Sequence, residues 1–326
     1  MTGVSLPLPD GRVLLVDGGA DELTLLLDGQ PLLRAERQDE VWWLQGRDMP
    51  LALWAFSYQA FAIDPACQRL LLRLDDCPAE LVQQGLLSPE MGGLWQVQRS
   101  MFWQLPMPWR SGAASESYPQ RFVLSDGRRH PQRSPKPAGE LYRRFDFRLG
   151  SWISLRTLDI EVDLERFNRW QNHPRVAEFW QEQGSLDQHR DYLERLAADP
   201  HVLTMIGCFD DQPFAYFEAY WAKEDRIAPF YAAADYDRGI HMLVGEEDHR
   251  GPHKVESWLS ALVHYLLLDE PRTQRIVAEP RADNRRMIGH MQRLGFWQEK
   301  EFDFPHKRAA LMVQSRERFF ERCRLC

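Results

Sequence analysis

Between Val202 and Val313 the sequence sets out strand-like runs and amphipathic helices in an order that constrains the fold more than any other feature. Val202 to Phe209 and Phe214 to Trp221 are β-type runs joined by Asp210-Asp211-Gln212-Pro213, a hairpin signal. A third run, Gly239 to Val244, leads through Glu246 to Lys254 into a helix that sets Val255, Trp258, Leu259, Leu262, Val263 and Leu266 on one face. A strand at Arg275 to Glu279, a helix at Asn284 to Leu294 and two closing strands, around Trp297 to Phe302 and Ala309 to Val313, complete the series. Upstream, Leu164 to Asn172 and Leu186 to Ala197 have helical periodicity, and Ser185 with Gln188 makes a capping-box pattern. Strands interleaved with helices in this way predict an α/β (α+β) domain.

The junction between Val244 and Lys254 carries the first chemical signal. A helix N-terminus offers backbone N–H groups without intrahelical acceptors and the positive end of the helix dipole, which suits a pyrophosphate. Gly251 permits close approach of the backbone, and Arg250 and Lys254 add charge. A glycine before a helix is more often only a turn. Two downstream strings strengthen the anion-binding alternative: Asp283-Asn284-Arg285-Arg286-Met287 and Leu294-Gly295-Phe296, with eleven positions from Asn284 to Gly295.

This order, with its Arg-Gly loop and its Asn to Gly-Phe spacing, resembles the GNAT superfamily of acyl-CoA N-acyltransferases, whose acyl-CoA loop corresponds to His249 through Lys254. Asp248 and His253 depart from the usual loop pattern, and Met291 stands where many members carry a tyrosine general acid. A thiol leaving group needs little protonation help near neutral pH. Longer strings are more specific: Trp170-Gln171-Asn172-His173-Pro174-Arg175-Val176, Asp237-Arg238-Gly239-Ile240-His241, Glu279-Pro280-Arg281, and Glu301-Phe302-Asp303-Phe304-Pro305-His306-Lys307-Arg308. These are similar to aerobactin-type N-hydroxylysine acetyltransferases and their relatives in alcaligin, rhizobactin and mycobactin synthesis. The resemblance runs from about Tyr142 to Phe320. It implies a GNAT fold and acetyl-CoA as co-substrate, with no metal. The expected acceptor is a small-molecule hydroxylamine on a lysine or ornithine side chain, acylated to a hydroxamate. Hydroxyputrescine, hydroxycadaverine, unmodified lysine, succinyl or longer acyl groups, and a non-catalytic acyl-CoA module are the alternatives.

His241, in the strand that feeds the acyl-CoA loop, is the expected catalytic base, since an unperturbed imidazole titrates at about 6.5. The mycobactin-type relatives imply the same role, and imply a partner at Asp283, which also reads as a helix N-cap. Leu243, Val244, His249, Arg250, Gly251, Pro252, His253, Lys254 and Asn284 are the expected coenzyme contacts. Backbone N–H groups near Leu243 are the expected oxyanion donors. Strand alternation puts Tyr216, Glu218 and Tyr220 on one face, where Glu218 holds either the substrate or an ion pair. His173, with Pro174 and Arg175, is expected to border the substrate mouth, and His306-Lys307-Arg308 reads as a charged turn.

The N-terminal half, residues 1–110, has strand runs at Arg12 to Val16, Glu22 to Leu27, Val41 to Leu44 and Arg69 to Leu74, and helical runs at Leu51 to Ala62 and Pro78 to Gly85. It carries no catalytic constellation, and its alternation of elements allows it to be a degenerate copy of the GNAT fold that covers the site or forms a homodimer. Its aromatic run Trp95 to Trp109 reads as packing. A proline-punctuated stretch, 111–141, is the expected linker to residues 142–326. The formal net charge of −8, with both signs mixed along the chain, makes nucleic acid a poor partner. No basic cluster leads into an apolar run at the N-terminus, and no apolar stretch is long enough to span a bilayer, so a cytoplasmic enzyme is expected. Five cysteines, an odd number, suggest reduced thiols, the Cys323 and Cys326 pair included.

Overall fold

The structure is a computed structural model and describes residues 4–74, 79–111, 118–323 and 325. Cys77, Pro78, Cys326 and part of the expected linker lie outside these residues. The chain divides into two compact units. The first holds the described residues up to Trp109, with 144–150 and 325; the second holds those of 110–143 and 151–323.

In the second unit a sheet is built from β11 (Glu140–Asp146), whose last residues count with the first unit, β12 (Ser151–Thr157), β13 (Val202–Phe209), β14 (Gln212–Trp221), β15 (Arg238–Val244), β16 (Arg275–Ala278), β17 (Trp297–Asp303) and β18 (Arg308–Ser315). Its spatial order is β11-β12-β13-β14-β15-β16-β18-β17. The β13–β14 turn is made by Asp210 (φ 46°) and Asp211 (φ 63°), left-handed positions that aspartate tolerates better than most residues. From Phe214 to Trp221 every residue of β14 is buried, so this central strand reads as a continuous apolar run, with Glu218 as its one charge.

Three helices connect β12 to β13: α4 (Ile160–Gln171), α5 (Pro174–Trp180) and α6 (Leu186–Ala198). Asp159 caps α4 by accepting from the Glu161 N–H, and the Ser185–Gln188 capping box on α6 is complete. Between β15 and β16 runs α7 (Pro252–Asp269), buried along most of its length, with Trp258 and Leu262 fully covered. Helix α8 (Arg285–Arg293) links β16 to β17, and α9 (Arg316–Arg322) follows β18. The described residues of 111–141 group with this unit and include a hairpin of β9 (Phe122–Ser125) and β10 (Arg128–Pro131).

The pairing of β15 and β16 positions the site. They are parallel and paired only at Arg238–Ile276 and Gly239–Val277, whereas β15 is paired with β14 from Arg238 to Val244, its whole length. Beyond Gly239 the two strands part, and the edge of β15 from Ile240 to Val244 faces open space.

The first unit has strands β1 (Val4–Pro7), β2 (Val13–Gly18), β3 (Glu22–Leu27), β4 (Gln30–Gln38), β5 (Val41–Gly46), β6 (Arg69–Arg73), β7 (Ser88–Glu90) and β8 (Leu94–Gln98). They lie in the order β1-β2-β3-β4-β5-β6-β8-β7. This is the order of the second sheet, strand for strand, with the parallel pair in the same place (β5–β6) and a helix, α1 (Met49–Ile63), between its members. Helices α2 (Ala79–Gln83) and α3 (Arg99–Phe102) complete it. The first unit is thus a second GNAT-like sheet.

It differs where chemistry would reside. A short turn joins β2 to β3, in place of three helices, and the N-cap of α1 is Asp48 where α7 has Gly251. A carboxylate there suits the helix dipole but repels a phosphate. The aromatic run is core: Trp103 and Trp109 are buried, and ring centroids lie 5.2 Å apart for Tyr58–Trp109 and 5.1 Å for Phe102–Trp103. No described helix is long and apolar enough to cross a membrane.

Candidate active site

The space opened between β15 and β16 is part of a cavity of about 1240 Å³, walled by α5, α6, the N-terminus of α7, α8 and the β17–β18 turn. At its centre His241 stands between two carboxylates. Glu218 is its cross-strand neighbour on β14, and Glu218 Oε2 lies 2.8 Å from His241 Nδ1. Glu279, the first residue after β16, places Oε1 2.7 Å from His241 Nε2.

Both carboxylates are buried, and both are held from behind. Tyr192 of α6 and Tyr216 of β14 donate to Glu218 Oε1 at 2.7 and 2.8 Å. Tyr220 donates to Glu279 Oε2 at 2.6 Å. A buried carboxylate is costly unless paired, and here every carboxylate oxygen has a donor.

The charges decide the protonation state. Burial alone would push His241 down, but the negative charge of Glu279 and the hydrogen bonds to Glu218 and Glu279 outweigh it and raise the imidazole to about 10. Burial likewise opposes ionisation of Glu279, and the His241 charge and Lys307 overcome it, bringing the carboxyl down to about 2. Glu218 is lowered against its own burial by His241 and the two tyrosines. The expectation that His241 titrates near its ordinary value is therefore corrected. At neutral pH it is an imidazolium giving both N–H groups to carboxylates. The three groups titrate as one unit; at neutral pH the unit has one negative charge in excess and can accept one proton.

Local packing fixes this arrangement. Tyr220 and Gly239 are cross-strand neighbours, and a Cβ on Gly239 would lie 1.9 Å from the Tyr220 ring. Gly245 accepts the indole of Trp170 in the same way, a Cβ there falling 2.2 Å from it. Trp180 of α5 stands edge-on to His241 with centroids 6.2 Å apart, on the cavity side.

The expected coenzyme contacts fall into two groups. Leu243, Val244, Arg250, Gly251 and Asn284 line the cavity. Gly251 has φ 122°, a conformation that L side chains rarely adopt, and it leaves the first turn of α7 without a side-chain cap. Arg175 and Arg286 join Arg250 on the cavity wall, so backbone N–H groups, a bare glycine and three guanidinium groups fit a pyrophosphate. His249, Pro252, His253 and Lys254 are outside the lining. Lys254 donates to the Asp248 carbonyl at 2.9 Å and lies 3.1 Å from His249 Nδ1, while His249 stacks on Phe209 with centroids 5.5 Å apart.

Of the expected substrate contacts, Glu218 and Tyr220 line the cavity, and Tyr216 supports Glu218 from outside it. His173 does not reach it: its ring caps α5, accepting from the Arg175 N–H at 3.3 Å. Asp283 lies on the cavity rim, with its side chain 64 % exposed, in a two-pronged pair with Arg281 at 3.0 and 2.6 Å. It does not cap α8. Asn284 does, accepting from the Met287 N–H at 3.2 Å. Met291 is fully buried, so the missing tyrosine opens no gap in the wall, and the neighbouring His290 lines it instead.

Sequence reasoning alone misses Glu279 and Tyr192, and gives Lys307 no part beyond a charged turn; Arg175, expected with His173 at the substrate mouth, does line the cavity. A signal for Glu279 is present: an acid directly after the apolar run Ile276-Val277-Ala278, at the C-terminal end of a strand beside the opening. Tyr192 reads only as an ordinary position of α6.

Residues 159–304 match the acetyltransferase (GNAT) domain family. The chain is 48 % identical over 227 residues to the N(6)-hydroxylysine O-acetyltransferase of Escherichia coli, covering 69 % of this chain and 71 % of that one. It is 46 % identical over 200 residues to the N(5)-hydroxyornithine:cis-anhydromevalonyl coenzyme A-N(5)-transacylase of Beauveria bassiana, covering 60 % of this chain and 44 % of that one. Among solved structures, an uncharacterized protein from Bacillus halodurans superimposes with a TM-score of 0.55 at 29 % identity, covering 57 % of this chain and 95 % of that one. With a relative this similar over more than two thirds of both chains, and a sheet splayed beside a glycine-led helix, the chain belongs to the siderophore acetyltransferases of the GNAT superfamily, acyltransferases that draw on acyl-CoA.

Proposed function

We propose that the chain transfers an acyl group from coenzyme A to the side-chain hydroxylamine nitrogen of an N-hydroxylated lysine or ornithine, making a hydroxamate for a siderophore. The observation that carries the reading is the buried Glu218–His241–Glu279 unit beside the opening between β15 and β16. The named acceptors of the relatives, hydroxylysine and hydroxyornithine, support it.

A hydroxylamine is less basic than an ordinary amine, so it is largely neutral at pH 7 and needs no prior deprotonation. Its nitrogen becomes strongly acidic only as the new C–N bond forms. A weak base suffices at that stage, and the unit's excess negative charge provides one. His241, holding both carboxylates ionised, is the centre through which the proton is shared. Backbone N–H groups on the open edge of β15, near Leu243, stabilise the developing oxyanion. The first turn of α7 with Arg250, Gly251 and Asn284 holds the coenzyme, and Asp283 with Arg281 borders the entrance. We place the enzyme in the cytoplasm, where acyl-CoA is available.

The Escherichia coli relative's name specifies O-acetylation, so the oxygen of the same hydroxylamine is the second candidate. Thiol release from acetyl-CoA with N-hydroxylysine, N-hydroxyornithine, lysine and ornithine tests the acceptor. A ferric-hydroxamate colour from the product distinguishes N- from O-acylation. Thiol release with lysine but with neither hydroxylamine would end the proposal.

A further inference from the structure

The turn between β17 and β18 carries Phe304-Pro305-His306-Lys307-Arg308, a basic run that the acyl-transfer chemistry leaves unused. The structure brings it to the cavity wall, next to Glu279. Lys307 Nζ donates to the Glu279 main-chain carbonyl at 2.8 Å. An ammonium has three N–H donors, and among the described residues this is the one hydrogen bond that the Lys307 ammonium makes. Burial, with the neighbouring Arg226 and Arg281 charges, pushes its pKa down against the pull of Glu279.

Arg226, from the connection between β14 and β15, brings its guanidinium to 3.9 Å from Glu279 Oε1. Arg226 and Lys307 both lie 5.5 Å from the centre of the Phe304 ring, on which His306 also stacks. Three basic side chains therefore gather on one aromatic platform. The nearest carboxylate, Glu279, is already committed to His241 and Tyr220.

None of Arg226, His306 and Lys307 is among the coenzyme contacts described above. Past Gly239 and Val277 the two parallel strands diverge. Arg250 and Gly251 follow the β15 arm, while Glu279 and its Lys307 contact lie at the end of the β16 arm. A pyrophosphate held at the first turn of α7 leaves Lys307 and Arg226, on the other arm, without an assigned partner.

We infer that Lys307 and Arg226 bind the α-carboxylate of the acyl acceptor, so that the substrate is a free amino acid and not a decarboxylated diamine. The inference rests on the acyl-transfer reading and sharpens it. The hydroxylamine end lies at His241 and Glu279, the carboxylate end at the Phe304 platform, and the methylene chain runs between them along the wall.

The test compares N-hydroxylysine with N-hydroxycadaverine, the same hydroxylamine without the carboxylate, at saturating acetyl-CoA. The wild-type enzyme should favour hydroxylysine in kcat/KM by about 100-fold, and Lys307→Met should cut that ratio by about 10-fold or more, since a hydrogen bond to a charged group is involved. Arg226→Met, at an exposed position that tolerates change, should lower the same ratio in the same direction. Equal use of both acceptors by the wild type would overturn the inference. So would a Lys307→Met variant that weakens both acceptors alike, or one that raises KM for acetyl-CoA instead. If no hydroxylamine releases thiol, the acyl-transfer reading fails separately. Calorimetry then decides the carboxylate site, which stands only if hydroxylysine binds more tightly than hydroxycadaverine and Lys307→Met removes the difference.

Discussion

Tyr220 lies across the backbone of Gly239, its cross-strand neighbour, so closely that no side chain fits between them. The contact sets the tyrosine hydroxyl 2.6 Å from Glu279 and so helps to hold the second carboxylate against His241. Gly239→Ala should displace the ring, destabilise the protein by about 1–3 kcal/mol, and slow acyl transfer through the loosened Glu279. Denaturant unfolding and thiol-release kinetics measure the two effects, and a variant as stable and active as the wild type would contradict the packing argument.

His241→Ala should lower kcat by about 10²–10⁴-fold and change KM for acetyl-CoA much less, because the coenzyme contacts lie elsewhere on the cavity wall. Steady-state kinetics with an unaltered kcat would remove His241 from the mechanism.

Glu279→Gln withdraws the nearest source of the negative charge that holds His241 protonated. In the wild type the imidazole should titrate near 10. In the variant its NMR-detected midpoint should fall by at least about 1 unit, as expected for loss of a close opposite charge. Unchanged titration would mean that Glu218 alone sets the protonation state.

The same coupling predicts a pH profile of stability. The folded value of His241, about 10, lies above its ordinary 6.5, so its contribution is complete below about pH 6.5 and is lost as pH rises through about 10. Glu279, at about 2, lies below its ordinary 4.5, so its contribution is complete above about pH 4.5 and is lost as pH falls through about 2. Stability from this unit should therefore be greatest between about pH 4.5 and 6.5. On the alkaline side it should decline by about 2–4 kcal/mol towards pH 10. Urea unfolding of wild type and His241→Gln across this range isolates the alkaline limb; parallel curves would refute it.

Gly251→Ala places a Cβ at a φ of 122°, only 3.1 Å from the His253 ring. The strained turn should raise KM for acetyl-CoA by about 10-fold, a loss of about 1.4 kcal/mol of binding, with a smaller effect on kcat. An unchanged KM would mean that the coenzyme does not use this corner.

Much of the second sheet is legible in the sequence, because its strands and helices have strong periodicity and the capping box at Ser185 and the turn at Asp210-Asp211 are written in residue types. Strands β11 and β12 are not, since Arg143, Arg144 and Arg156 interrupt their apolar pattern. Helix α5 is too short for periodicity to declare it, although its proline and capping histidine mark its start. Alternation places Glu218 on the face it shares with Tyr216 and Tyr220, and the structure makes it the cross-strand neighbour of His241. Glu279 cannot be paired with them from sequence, because the contact depends on how far β15 and β16 diverge, a tertiary quantity. The protonation of His241 escapes sequence reasoning for the same reason: an ordinary pKa assumes solvent where the fold supplies two anions.

The strand order that occurs twice in this chain has a consequence for its history. Two sheets with the same strand order, each with a parallel pair in the same place and a helix between its members, are what an internal duplication would leave behind. The second unit carries the open strands and the bare glycine, and the first has Asp48 at the matching corner. Inheritance should thus be readable as two rates in one gene: slow around His241 and Gly251, and faster at the corresponding surface of the first unit, where only the buried aromatic core still constrains what may change.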